Sequence, residues 1–205
     1  MKDVRLIRPR EKKFFPPYVF YSNAFSPPEC DAINAVAESK QLCDGTIGNG
    51  DNNSFRQNLE YRTVKTCSLF PEDNLHWLFQ RIRERVEWTN NEHFEFDLHG
   101  MLEDIVYLRY DTGDETRPPG HYDWHQDFGG GYSSLRKLSV IVQLSPPEEY
   151  DGCRLRLFTD QDFDPGHIGQ GDMLIFPSWV PHCVTPITRG TRKALVSWIG
   201  GPRFR

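Results

Sequence analysis

The chain has 205 residues, 24 Lys and Arg against 29 Asp and Glu for a net charge of −5, and 38% hydrophobic residues. That size suits one domain, residues 1–205, and the negative balance argues against a broad phosphate-binding surface, so no nucleic-acid partner is expected. No apolar run reaches the roughly 18 residues of a membrane span, and the first twenty residues scatter Lys2, Arg5, Arg8, Arg10, Lys12 and Lys13 where a secretory segment would be apolar, so no membrane contact and a cytoplasmic location are expected.

After this charged arm, Tyr18-Val-Phe-Tyr21 reads as a short strand. Ser26-Pro-Pro-Glu29 reads as a helix start, because a serine cap, prolines in the first turn and a glutamate three residues on form a capping box. That helix runs to about Lys40 with Cys30, Ile33, Val36 and Ala37 on one stripe. Gly45 to Asn53 is rich in Gly, Asn and Asp and predicts a loop ahead of the strand-like Tyr61 to Cys67, either a candidate lid over a substrate site or a plain surface loop. Leu75, Leu78, Phe79, Ile82 and Val86 repeat at three and four residues and predict a second helix over Glu72 to Asn90.

From residue 93 the pattern changes to short strands between Pro and Gly turns: Phe94 to Leu98, Asp104 to Tyr110, Leu138 to Leu144, Arg154 to Thr159, Asp172 to Phe176, His182 to Ile187 and Lys193 to Ile199. This predicts a mainly β fold, a sandwich or jelly-roll barrel over 93–205, with residues 1–92 supplying supporting helices and strands. The five cysteines form no Cys-x-x-Cys pair and read as reduced thiols, Cys183 included.

The chemistry concentrates in His121-Tyr-Asp-Trp-His-Gln-Asp127 and in His182. On an extended backbone side chains alternate, so His125 and Asp127 point to the same side and can hold one metal ion. Two histidines and a carboxylate leave coordination positions open, an arrangement suited to non-haem Fe(II) that must also bind a cosubstrate and O₂. Ten residues beyond His182 stands Arg192, a guanidinium that can clamp a carboxylate by paired hydrogen bonds. His121-Tyr-Asp123 is a second His-x-Asp on the same face, and composition does not separate the two.

The order His-x-Asp, distant His, then Arg resembles the 2-oxoglutarate- and Fe(II)-dependent oxygenases, in particular their prolyl-4-hydroxylase-like, PKHD-type branch. The resemblance runs from about Leu102 to Ile199 through Tyr110-Asp-Thr-Gly113, Trp124-His-Gln-Asp127, Arg136-Lys-Leu-Ser139, Leu144 to Gly152, Gly171 to Pro177 and His182-Cys-Val-Thr-Pro186. It implies a double-stranded β-helix with helices packed on one sheet. It implies Fe(II) held by His125, Asp127 and His182, the far carboxylate of 2-oxoglutarate on Arg192 with Tyr110 and Gln143 beside it, and ascorbate as a stimulant. The aromatic Trp124 before the second His-x-Asp, and the Phe128 and glycines after it, favour His125 and Asp127 over His121 and Asp123. The latter fall to the pocket rim, His121 in a loop after Pro118-Pro-Gly120.

By resemblance, 2-oxoglutarate and O₂ would be consumed to give succinate, CO₂ and a hydroxylated C–H, with a prolyl residue of a protein or peptide as first substrate. A free amino acid or other small molecule is the second enzyme reading, and a metal- or ligand-binding barrel without turnover is the non-catalytic one. Leu155, Val184 and Trp198 are expected to wall the pocket, and Arg189 to be solvated. His76, His93, His99 and His167 are expected at surface or packing positions. Gly152-Cys153 departs from the Gly-Gly common in relatives and restricts the backbone there.

Overall fold

The computed structural model of the chain describes residues 16–49, 54–159, 162–164 and 168–203. The charged arm before residue 16, residues 50–53 of the candidate lid and His167 lie outside them. The strands are β1 (Val19–Tyr21), β2 (Cys43–Asp44), β3 (Ile47–Asn49), β4 (Ser54–Arg56), β5 (Arg62–Thr63), β6 (Lys65–Leu69), β7 (Gly100–Met101) and β8 (Ile105–Asp111). They continue with β9 (His121–His125), β10 (Arg136–Gln143), β11 (Tyr150–Gly152), β12 (Leu155–Phe158), β13 (Asp162–Phe163), β14 (Met173–Pro177), β15 (His182–Val184) and β16 (Ile187–Gly200). The helices are α1 (Pro27–Glu38) and α2 (His76–Thr89).

One sheet runs β1-β14-β10-β16-β8-β6-β2, with β7 and β11 also paired to β16; a smaller one runs β13-β12-β15-β9-β5. The large sheet is apolar on both faces, and strand alternation sorts its residues into two cores. Tyr107, Val140, Val142, Met173, Ile175 and Leu195 point to the helix side and pack with Ile33 and Ala37 of α1 and Leu78, Ile82 and Val86 of α2. Their neighbours in sequence, Leu108, Ile141, Leu174, Phe176 and Val196, point the other way and meet Leu155, Leu157 and Val184 of the small sheet. Each such large side chain taken from water contributes about 1.5–3 kcal/mol before chain entropy is charged against it. The space between the sheets is where the chemistry-bearing residues converge.

The α1 start follows the expected capping logic. Ser26 N–H and its hydroxyl both donate to Glu29 Oε2, at 2.8 and 2.9 Å, and Arg81 of α2 donates to the same oxygen at 2.8 Å. The Arg81 bond, followed by the Ser26 backbone bond, holds the Glu29 carboxyl down at about 2 from its ordinary 4.5. The depressed value means that this contribution is present above pH 4.5 and is lost as the pH falls towards 2. Glu29→Gln is therefore expected to cost about 1 kcal/mol in denaturant unfolding at pH 7. The gap from wild type should close in acid; a gap that persists at pH 2 would place the effect elsewhere.

Two expectations need correction. Phe94 to Leu98 is not a strand: α2 runs into a π turn over Asn90–Phe94, and Glu95 takes a left-handed φ of 55°. The buried Asn90 amide then does a ladder's work, donating to Phe96 O and accepting from Phe96 N, both at 2.9 Å. The alternating Phe94 and Phe96 stack with ring centres 5.6 Å apart instead of facing a sheet. Within Gly45 to Asn53, residues 47–49 form a strand of a hairpin, Ile47 opposite Arg56 and Gly48 opposite Phe55. Glycine and asparagine hid it because both are depleted in strands and point to a turn instead.

Candidate metal centre

β9 and β15 are antiparallel neighbours with His125 directly opposite His182. The next pair is Tyr122 with Val184, so three steps on β9 oppose two on β15. This bulge breaks the alternation: Tyr122 shares the inward face with His125, their rings stacked at 3.5 Å and 15°, while His121 turns away. The ring nitrogens of His121 lie against Pro119 O and Glu60 O, at 2.8 and 2.9 Å. His121 is thus a strand residue paired with Thr63, not a loop residue, and neither it nor Asp123 joins the metal-ligating cluster.

Among the described residues one group can converge on a metal ion: His125, Asp127 and His182, ligand atoms within 4.8 Å of one another. Asp127 sits just past β9, where its N–H and that of Phe128 both donate to Ser178 O. His125 Nε2 lies 3.9 Å from Asp127 Oδ1, and His182 Nε2 3.5 Å from Oδ2. Each histidine has Nδ1 on a backbone carbonyl, Asp123 O at 2.7 Å and Val180 O at 3.0 Å. A carbonyl only accepts, so Nδ1 carries the proton and Nε2 offers its lone pair to the centre. Burial, then the nearby His182, pulls His125 down to about 3, which keeps its imidazole neutral and ready to ligate at neutral pH.

Burial pushes the Asp127 carboxyl up, but His182, His125, the Ser139 bond and Arg136 outweigh it and hold it below its ordinary value. Ser139 Oγ donates to Asp127 Oδ2 at 2.6 Å and is itself 3.0 Å from Ser178 Oγ. Arg136 donates to Asp127 O and forks onto Glu103 through Nε and Nη2, its guanidinium 3.8 Å over the Trp198 ring. None of Tyr122, Ser139, Ser178, Arg136 and Glu103 was given a role from the sequence. Arg136-Lys-Leu-Ser139 did stand out as a motif, and the Ser139 hydroxyl aimed at the carboxylate accounts for part of it. Ser139→Ala is expected to cost about 1–3 kcal/mol by leaving a buried oxygen short of a donor. It should also weaken metal binding by about tenfold or more, read by titration with Mn(II).

A separate cavity of about 150 Å³ is lined by Arg192, Gln143, Tyr150, Cys153 and Leu155 among others. Arg192 on β16 is 3% exposed, stands opposite Tyr110 of β8, and has its guanidinium 5.6 Å from that ring. Its Nε donates to Gln143 Oε1 at 2.9 Å, and Gln143 Nε2 donates onward to Ser145 O. Among the described residues no carboxylate pairs with Arg192. Arg189, by contrast, lies exposed on Asp151. Cys153 adopts the left-handed φ of 49° that glycine would take freely, with its N–H on Pro186 O. Burial pushes its thiol up to about 11, which leaves it unreactive. Leu155 and Val184 belong to the inter-sheet core, and Trp198 walls a larger cavity that His125 and Asp127 also line.

The donor set fits a divalent metal with open positions, and the buried Arg192, without a carboxylate partner among the described residues, fits an anionic ligand end. Residues 106–200 match a family model described as the 2OG-Fe(II) oxygenase superfamily. A PKHD-type hydroxylase of Hyphomonas neptunium is 42% identical over 82 residues, 38% of this chain and 37% of that one. The chain thus spans less than half the length of the curated relatives it matches. Among solved structures, a Pseudomonas putida prolyl-4-hydroxylase superposes with TM-score 0.68 at 18% identity, covering 91% of this chain and 93% of that one. A Trichoplax adhaerens prolyl hydroxylase, solved with a hypoxia inducible factor peptide fragment, gives 0.69 at 17%, covering 90% and 83%. These likenesses identify the fold as a double-stranded β-helix with helices on one sheet. Among the described residues no helix is long and apolar enough to cross a membrane.

Proposed function

We infer that this chain, whose residues 106–200 carry the sequence of the 2OG-Fe(II) oxygenase superfamily, is a 2-oxoglutarate-dependent hydroxylase acting on a prolyl residue of a protein or peptide. The observation that carries the reading is the pairing of two features: three convergent metal donors with both histidine tautomers set by backbone carbonyls, and a buried cation with no counter-charge among the described residues. The prolyl choice is supported by the likeness to solved structures named as prolyl hydroxylases.

Fe(II) with 2-oxoglutarate and O₂ would supply the oxidation of an unactivated C–H bond. His125, Asp127 and His182 would hold the metal. Arg192 would hold the far carboxylate of 2-oxoglutarate, with Gln143 fixing the guanidinium's direction and Tyr110 packed alongside. Ser139 would keep Asp127 ionised and its rotamer set. The apolar inter-sheet residues exclude water from this end of the cavity.

The test is succinate formation by anaerobically purified protein given Fe(II), 2-oxoglutarate, ascorbate and then air, alone and with proline-containing peptides. Peptide-stimulated succinate with a 16-dalton gain on the peptide supports the reading. Metal and 2-oxoglutarate binding without stimulation by any peptide removes the prolyl substrate, and no 2-oxoglutarate binding removes the oxygenase.

A further inference from the structure

Beside the metal-ligating cluster lies a cavity of about 1010 Å³, whose wall includes Arg62, Tyr122, His125, Asp127, Arg136 and Trp198. Most of the charge on this wall is compensated. Arg136 is forked onto Glu103, Lys40 is paired with Asp73, and Asp44 sits between Lys65 and Arg117. Arg56 stands exposed on the β3–β4 hairpin, where an unpaired cation is solvated and costs little. Arg62 differs from all of these. Among the described residues no carboxylate comes within ion-pair reach of it, and its Nε is buried without a hydrogen-bond partner.

The guanidinium is nevertheless held in place. Nη1 donates to Thr46 O, and the bare backbone of Gly45 packs against it, since a Cβ there would come within 3.2 Å of Nε and 2.5 Å of Val64 Cγ1. Its carbon lies 4.6 Å from the Tyr122 ring centre, and that ring in turn stacks 3.5 Å from His125. The cation is therefore presented at two ring-stacking steps from the candidate metal ligand, in the cavity that His125 and Asp127 also line and not in the one that Arg192 lines. A preorganised, partly buried guanidinium with no carboxylate partner among the described residues is suited to receive an anion, and a carboxylate can accept from the N–H groups that Thr46 O leaves free.

We propose that Arg62 binds a carboxylate of the substrate, so that the molecule hydroxylated is an acid. The carboxylate belongs either to a free amino acid or to a peptide with an acidic group next to the reacting residue. This rests on the reading of His125, Asp127 and His182 as the reaction centre. Arg62 sets which substrate is taken and where it lies. Arg192 keeps the cosubstrate.

The test uses the full chain loaded with Mn(II) and 2-oxoglutarate, which do not turn over, titrated calorimetrically with two matched pairs. One pair is L-proline and L-prolinamide; the other is an N-acetylated, C-amidated prolyl peptide with glutamate or glutamine beside the proline. The carboxylate member of one pair is expected to bind at least about tenfold tighter than its amide. The pair that discriminates identifies the source. Arg62→Gln should erase the difference while leaving 2-oxoglutarate affinity unchanged, and Arg62→Lys should restore part of it, which a merely structural role would not do. Equal binding within both pairs up to millimolar concentration overturns the proposal, as does a loss of 2-oxoglutarate affinity in Arg62→Gln. Failure of the wild type to bind Mn(II) and 2-oxoglutarate removes the underlying reading of the centre and this proposal with it.

Discussion

Asp127→Asn is expected to lower Fe(II) or Mn(II) affinity by more than about 100-fold, since even the groups that merely orient metal ligands are worth 10–100-fold. The substitution keeps shape: an amide fills the same volume, and its oxygen still accepts from Ser139 at the position of Oδ2. It removes the one negative charge that faces His125 Nε2 and His182 Nε2. The apoprotein should therefore melt within a few degrees of wild type. What disappears is metal-dependent stabilisation, which for wild type at a metal concentration 100 times its Kd amounts to about 2.7 kcal/mol. Thermal unfolding with and without Mn(II) separates the two effects, and succinate formation should vanish alongside the shift. If Asp127→Asn keeps both, the carboxylate is not a ligand and the His121-Tyr-Asp123 pair returns as a candidate, against the geometry that turns His121 onto Pro119 O and Glu60 O.

How far the sequence led depends on whether the deciding interaction is local. The α1 start was readable because a capping box spans only Ser26 to Glu29, although the partner that does most to depress Glu29, Arg81, is on another helix. The two-sided burial of the large sheet was readable from continuous apolar runs such as Val140-Ile-Val142 and Met173 to Phe176. Period-two reasoning reached the right side of β9 for His125 but also put His121 there, because a bulge is set by the pairing partner. One extra residue against His182 and Val184 swaps which neighbours share a face, and it brought in Tyr122 unannounced. The Phe94 to Leu98 expectation failed for a similar reason. Apolar alternation cannot reveal that the Asn90 side chain will satisfy both backbone groups of Phe96. Nor does residue order alone reveal that the Gln143 amide accepts from Arg192 Nε on one side and donates to Ser145 O on the other. Such commitments depend on the register of β10 against β16, which no single strand carries.

Arg192→Met should raise the stability of the apoprotein while destroying cosubstrate binding, and the opposite signs are the point of the experiment. The guanidinium is 3% exposed and has no carboxylate partner among the described residues, so folding has stripped its water without supplying a counter-charge. Replacing a buried, uncompensated charge by an apolar side chain of similar length is worth about 1–4 kcal/mol in favour of the fold. Against this stands the Gln143 Oε1 that loses its donor, a cost of about 1–3 kcal/mol, so a net gain of about 1 kcal/mol is the expectation. In the presence of 2-oxoglutarate the order reverses. Losing a charge-assisted, bidentate contact in a water-poor cavity costs at least about 2–4 kcal/mol of binding, or roughly 30- to 1000-fold in Kd. Wild type should be stabilised by 2-oxoglutarate and the variant should not, so that their melting temperatures cross as the ligand is added. A variant less stable than wild type without ligand would mean that the fold itself neutralises Arg192. The cavity beside it would then lack the electrostatic reason to bind a dicarboxylate, and the case for a 2-oxoglutarate enzyme would rest on the metal ligands alone.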